Sequence, residues 1–223
     1  VLTVTGSSNV TMSGVLSGSG GLRWNSSGTL TLRRNNTYRG NTDFENGTLQ
    51  ISSGGSLPSG TVINFYDGGQ VYINLFNGDE TIGGINDGEY LSSTPELNFD
   101  NNTLTINVAS GSTFTSAATI TGQGSGDTDA ELIKTGAGEQ IFQGSLSNIP
   151  NPILVQAGTL DIENSNTIDG GVTISGGTLE LGDNGAVGSA AITMIGAQLS
   201  SRNTDDRTLC HSLFVSGYVN VSH

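Results

Sequence analysis

The chain of 223 residues holds one cysteine, Cys210, so no intrachain disulfide can form. It holds four prolines and seven basic residues against twenty acidic ones. A net charge of −13 argues against nucleic acid as a partner, because binding phosphate backbones needs clustered Lys and Arg. Four of the basic residues, Arg23, Arg33, Arg34 and Arg39, fall within 17 positions and read as a solvated face or as edge protection. There are two histidines, His211 and His223, and no supporting motif around them. Cys210 therefore reads as a small buried or incidental thiol rather than a nucleophile. No apolar run approaches the ~20 residues of a membrane helix, and no signal peptide opens the sequence. Aromatics are few: one Trp, five Tyr and seven Phe.

What the chain does have is glycine, 34 residues of it, with many Ser, Thr and Asn. Abundant glycine with little proline suits short strands joined by tight corners. The tetrad Gly47-Thr48-Leu49-Gln50 returns as Gly158-Thr159-Leu160-Asp161 and as Gly177-Thr178-Leu179-Glu180. The strand-like segments beginning at Ile153, Val172, Ile192 and Leu213 step by 19, 20 and 21 residues. Within each, apolar residues alternate with polar ones, which is the period of a strand with one buried face. So short a unit cannot hold a core of its own. It is the length of one coil of a parallel β-solenoid, in which each coil hydrogen-bonds the next at about 4.8 Å and inward residues stack in columns. Thr48 is expected outward and Leu49 inward, with Phe44, Val71 and Ile73 also inward. About eleven coils would make a rod on the order of 50 Å long. No convincing helical period occurs, and "TDAELIKTGAG" reads as a strand and a turn. One continuous solenoid over 1–223 is expected, duplicated internally as 2–103 and 104–223, and part of a longer protein.

The segments "LRWNSSGTLTLRRNNTYRGNTDFENGTLQI" and "LIKTGAGEQIFQGSLSNIPNPILVQAGTLDI" each follow in part a pattern of a Leu-x-Lys-x-Gly-x-Gly opening, an Asn-Thr-Tyr-x-Gly middle and a Gly-Thr-Leu ending. In this the chain resembles the autotransporter-associated β-strand repeat. The first copy keeps Asn36-Thr37-Tyr38-Arg39-Gly40 but has Trp24 where Lys is usual. The second keeps Lys134, Gly136 and Gly138, and its middle reads "SLSNIPNP". The resemblance implies an all-β, right-handed parallel β-helix of a secreted or outer-membrane-associated bacterial surface protein, such as an adhesin, a stalk or a filament subunit.

The acidic residues are scattered. An enzyme on such a scaffold would need convergent carboxylates in a groove, and the nearest approach, Asp205-Asp206-Arg207, reads as a solvated loop. No catalytic role is expected. Asp161 and Glu180 occupy equivalent places in neighbouring coils and should stack about 5 Å apart on the outside, where a cation would relieve them. Asp127, Asp129 and Glu131 alternate oxygens in a way that suits calcium, although the twelve-residue calcium-loop pattern is missing. No other cofactor is indicated. The expected partner is a second copy, joined end to end or laterally, or a cell-surface or glycan ligand. Carbohydrate binding or cleavage is the competing reading, with Tyr66 and Tyr72 as the one aromatic pair fitted to a sugar.

Overall fold

A computed structural model describes residues 1–52, 54–66, 71–75, 78–87, 93–122, 129–202 and 207–222. Among these there is no helix, and the strand pairings are parallel throughout. The chain is a β-solenoid of about nine turns, fewer than the eleven expected. The difference lies in the middle coils, which are longer than those near the C-terminal end. Glu80 pairs with Leu104, 24 positions on, and Thr103 pairs with Glu131, 28 positions on.

Three sheets run along the axis. The ten-stranded sheet passes through Leu2–Gly6, Leu22–Leu32, Thr42–Ile51, Val71–Leu75, Glu96–Asn98, Thr119–Thr121 and Leu146–Ser147, with Val10–Met12, Val62–Phe65 and Gly84–Asp87 branching from that path. A seven-stranded sheet runs from Glu80–Ile82 through Thr103–Asn107, Glu131–Thr135, Ile153–Val155, Val172–Ile174 and Ile192–Ile195 to Leu213–Ser216. A six-stranded sheet runs from Thr113–Ser116 through Glu139–Phe142, Thr159–Ile162, Thr178–Leu181 and Gln198–Ser201 to Asn220–Ser222.

Register follows the alternation. Ile153 pairs with Val172, Val172 with Ile192, and Ile192 with Leu213. Leu30, Leu49, Ile73, Leu97, Ile120 and Leu146 form one uninterrupted column, each wholly buried. Trp24, Phe44 and Phe65 form a second, aromatic column, also fully buried. Burying one such side chain contributes about 1.5–3 kcal/mol, so the columns are the main source of cohesion in a chain without disulfides.

The corners explain the tetrad. Gly47 has φ of 81° and Gly158 has φ of 67°, where only glycine is unstrained. A Cβ on either would strike the carbonyls of the coil before: those of Ser26 and Gly28 for Gly47, and those of Gly136 and Gly138 for Gly158. Thr48 is half-buried and Leu49 fully buried, as alternation requires.

Some inward positions are polar, among them Lys134 and Gln140. Lys134 stands in the apolar column Ile82, Ile106, Lys134, Val155, Ile174, and Gln140 stands in the column Phe114, Gln140, Leu160, Leu179, Leu199. Gln140, wholly buried, donates to the Ile85 carbonyl and accepts from the Ile85 N–H, both at 2.9 Å. It thereby ties the six-stranded sheet to the strand Gly84–Asp87 of the ten-stranded one.

Candidate functional site

Three groups of side chains are arranged across coils rather than along the chain. The first is a pair of buried asparagines. Asn36 accepts from the Leu16 N–H, 20 residues before it, and donates to the Ser56 carbonyl, 20 residues after, and to the Arg34 carbonyl. Asn166 repeats all three bonds, accepting from the Leu146 N–H and donating to the carbonyls of Ala186 and Asn164. Each amide thus stitches three successive turns.

The second group lies at the corners. Lys134 is 1 % exposed, and its ammonium donates to the carbonyls of Thr135, Gly136 and Ala157 at 2.7, 3.0 and 3.2 Å. Burial pushes its pKa down to about 8, against an upward pull from Glu139. Trp24 holds the matching place in the earlier corner: its Nε1 lies against Gly47 as the Lys134 Nζ lies against Gly158. Trp24 and Lys134 are alternative plugs for one kind of corner hole.

The third group is acidic and faces outward from the six-stranded sheet. One carboxylate oxygen from each of Glu139, Asp161 and Glu180 lies within 4.8 Å of the others. Asp161 pairs with Glu180 in adjacent coils, as the spacing predicts. Contrary to expectation, Asp161 is not solvated: it is 0 % exposed and covered by Arg202, which also bonds Glu163 at 2.6 Å. Arg202 stands two coils beyond Glu163, with Gly182 between them in the backbone ladder. Because Gly182 has no side chain, the guanidinium reaches past it. Nothing in the local sequence around Arg202 signals this pairing.

Of the expected calcium ligands, Asp127 lies outside the described residues, as do Asp205 and Asp206. Asp129 is exposed, and Glu131 opens the strand Glu131–Thr135. Among the described residues, the carboxylates that gather are instead Glu139, Asp161 and Glu180. Cys210 is exposed rather than packed. Tyr66 and Tyr72 are each 38 % exposed, and Arg23 lies 5.6 Å over the Tyr66 ring while pairing with Glu45. Of two shallow recesses, one at Asn36–Arg39 with Pro58–Thr61 and one at Ser13, Arg33, Arg34 and Ser52, neither has a carboxylate among the described residues that line it.

Residues 25–51 and 155–181 match the passenger-associated-transport-repeat family. The chain is also 30 % identical, over 162 residues, to the Adhesin BmaC autotransporter of Brucella suis biovar 1 (strain 1330), an alignment covering 73 % of the chain and 4 % of that protein. No solved structure matches the chain. The second matched segment places the repeat's middle at Asn166-Thr167-Ile168-Asp169-Gly170, not at "SLSNIPNP", and its ending at Gly177-Thr178-Leu179. Asn36 and Asn166 thereby fall at the same place in the two matched segments, equally far from their first residues, Asn25 and Val155. With the same buried asparagine making the same three bonds in both, the chain carries two autotransporter-associated repeats of the passenger-associated-transport-repeat family stacked in a parallel β-solenoid, and in this it is similar to an autotransporter adhesin.

Proposed function

We propose that this solenoid is a non-catalytic segment of a secreted, surface-displayed adhesive passenger. It acts as a stiff module that holds polar side chains at regular spacing toward a cell-surface or glycan ligand. The observation that carries this reading is the pair of passenger repeats built into a parallel β-solenoid, in which neighbouring coils are hydrogen-bonded and stiffness follows from those shared bonds. The printed name of the similar Brucella protein, an adhesin and autotransporter, supports it. The aligned part is a small share of that protein, so its ligand is not carried over.

The test is display of residues 1–223 on a non-adherent bacterium, with counting of cells retained on host-cell monolayers and on immobilised glycans. Retention above that of a control displaying the anchor alone is expected. Retention equal to the control on every surface would contradict adhesion and leave a passive spacer. Stacking of one solenoid on a second copy, end to end or side by side, is the other arrangement the scaffold suits, and electron microscopy of the purified chain distinguishes fibres from single rods. A sugar-binding or sugar-cleaving role is favoured by one feature, the half-exposed Tyr66 beneath Arg23. Release of reducing ends or unsaturated products from a panel of neutral and anionic glycans would establish cleavage.

A further inference from the structure

We propose that Glu139, Asp161 and Glu180 form a divalent-cation site that clamps three successive coils, with calcium as the ion whose chemistry fits. The three residues come from consecutive strands of the six-stranded sheet, Glu139–Phe142, Thr159–Ile162 and Thr178–Leu181. Their nearest carboxylate oxygens lie within 4.8 Å of one another, a separation that ligands around one ion adopt.

A second observation is independent of that clustering. Asp161 is wholly buried, and its Oδ2 is engaged by Arg202; its Oδ1 is buried with no hydrogen-bond partner among the described residues. A buried carboxylate oxygen without a donor costs about 1–3 kcal/mol or more, and a cation removes that cost. Arg202 does not suffice. The Arg202 guanidinium pairs with Asp161 and Glu163, and among the described residues no ion pair joins it to Glu139 or Glu180.

The donors decide the ion. All are carboxylate oxygens, with no His or Cys among them, which suits hard cations rather than zinc. Glu139 and Glu180 are partly exposed, so water can complete the irregular six- to eight-fold shell of calcium more readily than the strict octahedron of magnesium. The Thr113 hydroxyl donates to Glu139 Oε2 at 3.1 Å and steadies that ligand. Bound calcium would join the coils by an ionic link in place of mutual repulsion, the role a disulfide would have in a chain with more than one cysteine.

The experiment uses the full chain stripped with chelator. Calcium is titrated by calorimetry, and thermal unfolding is followed with calcium or with sodium chloride at equal ionic strength. One calcium per chain and a rise of a few degrees in melting temperature beyond that given by sodium are expected. Glu139→Gln and Glu180→Gln should each weaken calcium binding about tenfold or more. The calcium-free variants should melt no lower than the parent, because each removes repulsion. Asp161→Asn should also abolish binding, and it provides a check at the buried position. No binding heat, a melting shift matched by sodium, or binding undiminished in both Gln variants would each overturn the site. Tighter binding of zinc than of calcium would overturn the choice of ion.

Discussion

Asn36 and Asn166 each join three turns through a single amide side chain, and the surrounding repeat is organised around that bond set. The amide is required because it both accepts and donates. Asn166→Ala leaves the Leu146 N–H and the carbonyls of Asn164 and Ala186 without their partner, and an expected loss of about 2–4 kcal/mol follows from the cost of unsatisfied buried groups. Asn166→Asp should do no better, since it keeps the acceptor and turns an oxygen toward two carbonyls. Urea unfolding monitored by circular dichroism measures both variants. For Asn166→Ala, a loss under about 0.5 kcal/mol, less than one ordinary hydrogen bond contributes, would contradict the role. This residue was not legible in advance. Gly-Thr-Leu occurs at both Gly158 and Gly177, one coil apart, so the second repeat could be framed on either tetrad, and framing it on the first hides Asn166. Trp24 in place of Lys was visible as a departure. That it fills the same corner hole became visible only when Gly47 and Gly158 were compared in three dimensions.

At the scale of single strands, period-two alternation located nearly every inward residue, because a half-buried strand admits only one assignment of faces. Phe44, Val71 and Ile73 are all at most 1 % exposed, and "TDAELIKTGAG" forms the strand Glu131–Thr135 and a corner. Alternation fails where an inward position is polar. Glu80, at the start of the strand Glu80–Ile82, is 4 % exposed and accepts from the Leu57 N–H at 3.2 Å. Burial raises its pKa from 4.5 to about 8, with the Leu57 bond opposing. The folded chain therefore holds this proton more tightly than the unfolded one. The associated stability is fully present below pH 4.5 and is lost as pH rises toward 8. Asp87 and Glu180 are raised as well and act in the same direction. Melting temperature in chelator is expected to fall from pH 5 to pH 8, and Glu80→Gln is expected to flatten much of that slope. An identical slope in the variant would contradict the assignment.

Across the whole molecule, the short period specified the stack and the long period did not specify its length. The spacing near the C-terminal end describes the last four coils well. Between Glu80 and Glu131 the coils are wider, since Glu80 stacks on Leu104 and Thr103 on Glu131, and this reduces eleven expected turns to about nine. The corner also changes sheets. Gly47 bends one continuous strand, Thr42–Ile51, inside the ten-stranded sheet, whereas Gly158 and Gly177 lie between strands of the seven- and six-stranded sheets. A linear sequence marks a corner but not the face on which it falls. The acidic cluster shows the same boundary: Asp161 and Glu180 were readable as neighbours one coil apart, while Arg202, 41 residues from Asp161, enters only because Gly182 leaves room.

Cysteine pairing across coils tests the stacking most directly. Thr173 lies beside Thr193 in the next coil and beside Leu154 in the previous one, so Leu154 and Thr193 are two coils apart. With Cys210 changed to Ser, the pair Thr173→Cys and Thr193→Cys is about 4.8 Å apart at Cα and should oxidise to a disulfide; the pair Leu154→Cys and Thr193→Cys, at roughly 9.6 Å, should not. Efficient bridging of the first pair alone is the predicted result. No bridge in the first pair, or an equal yield in both, would contradict the layered solenoid.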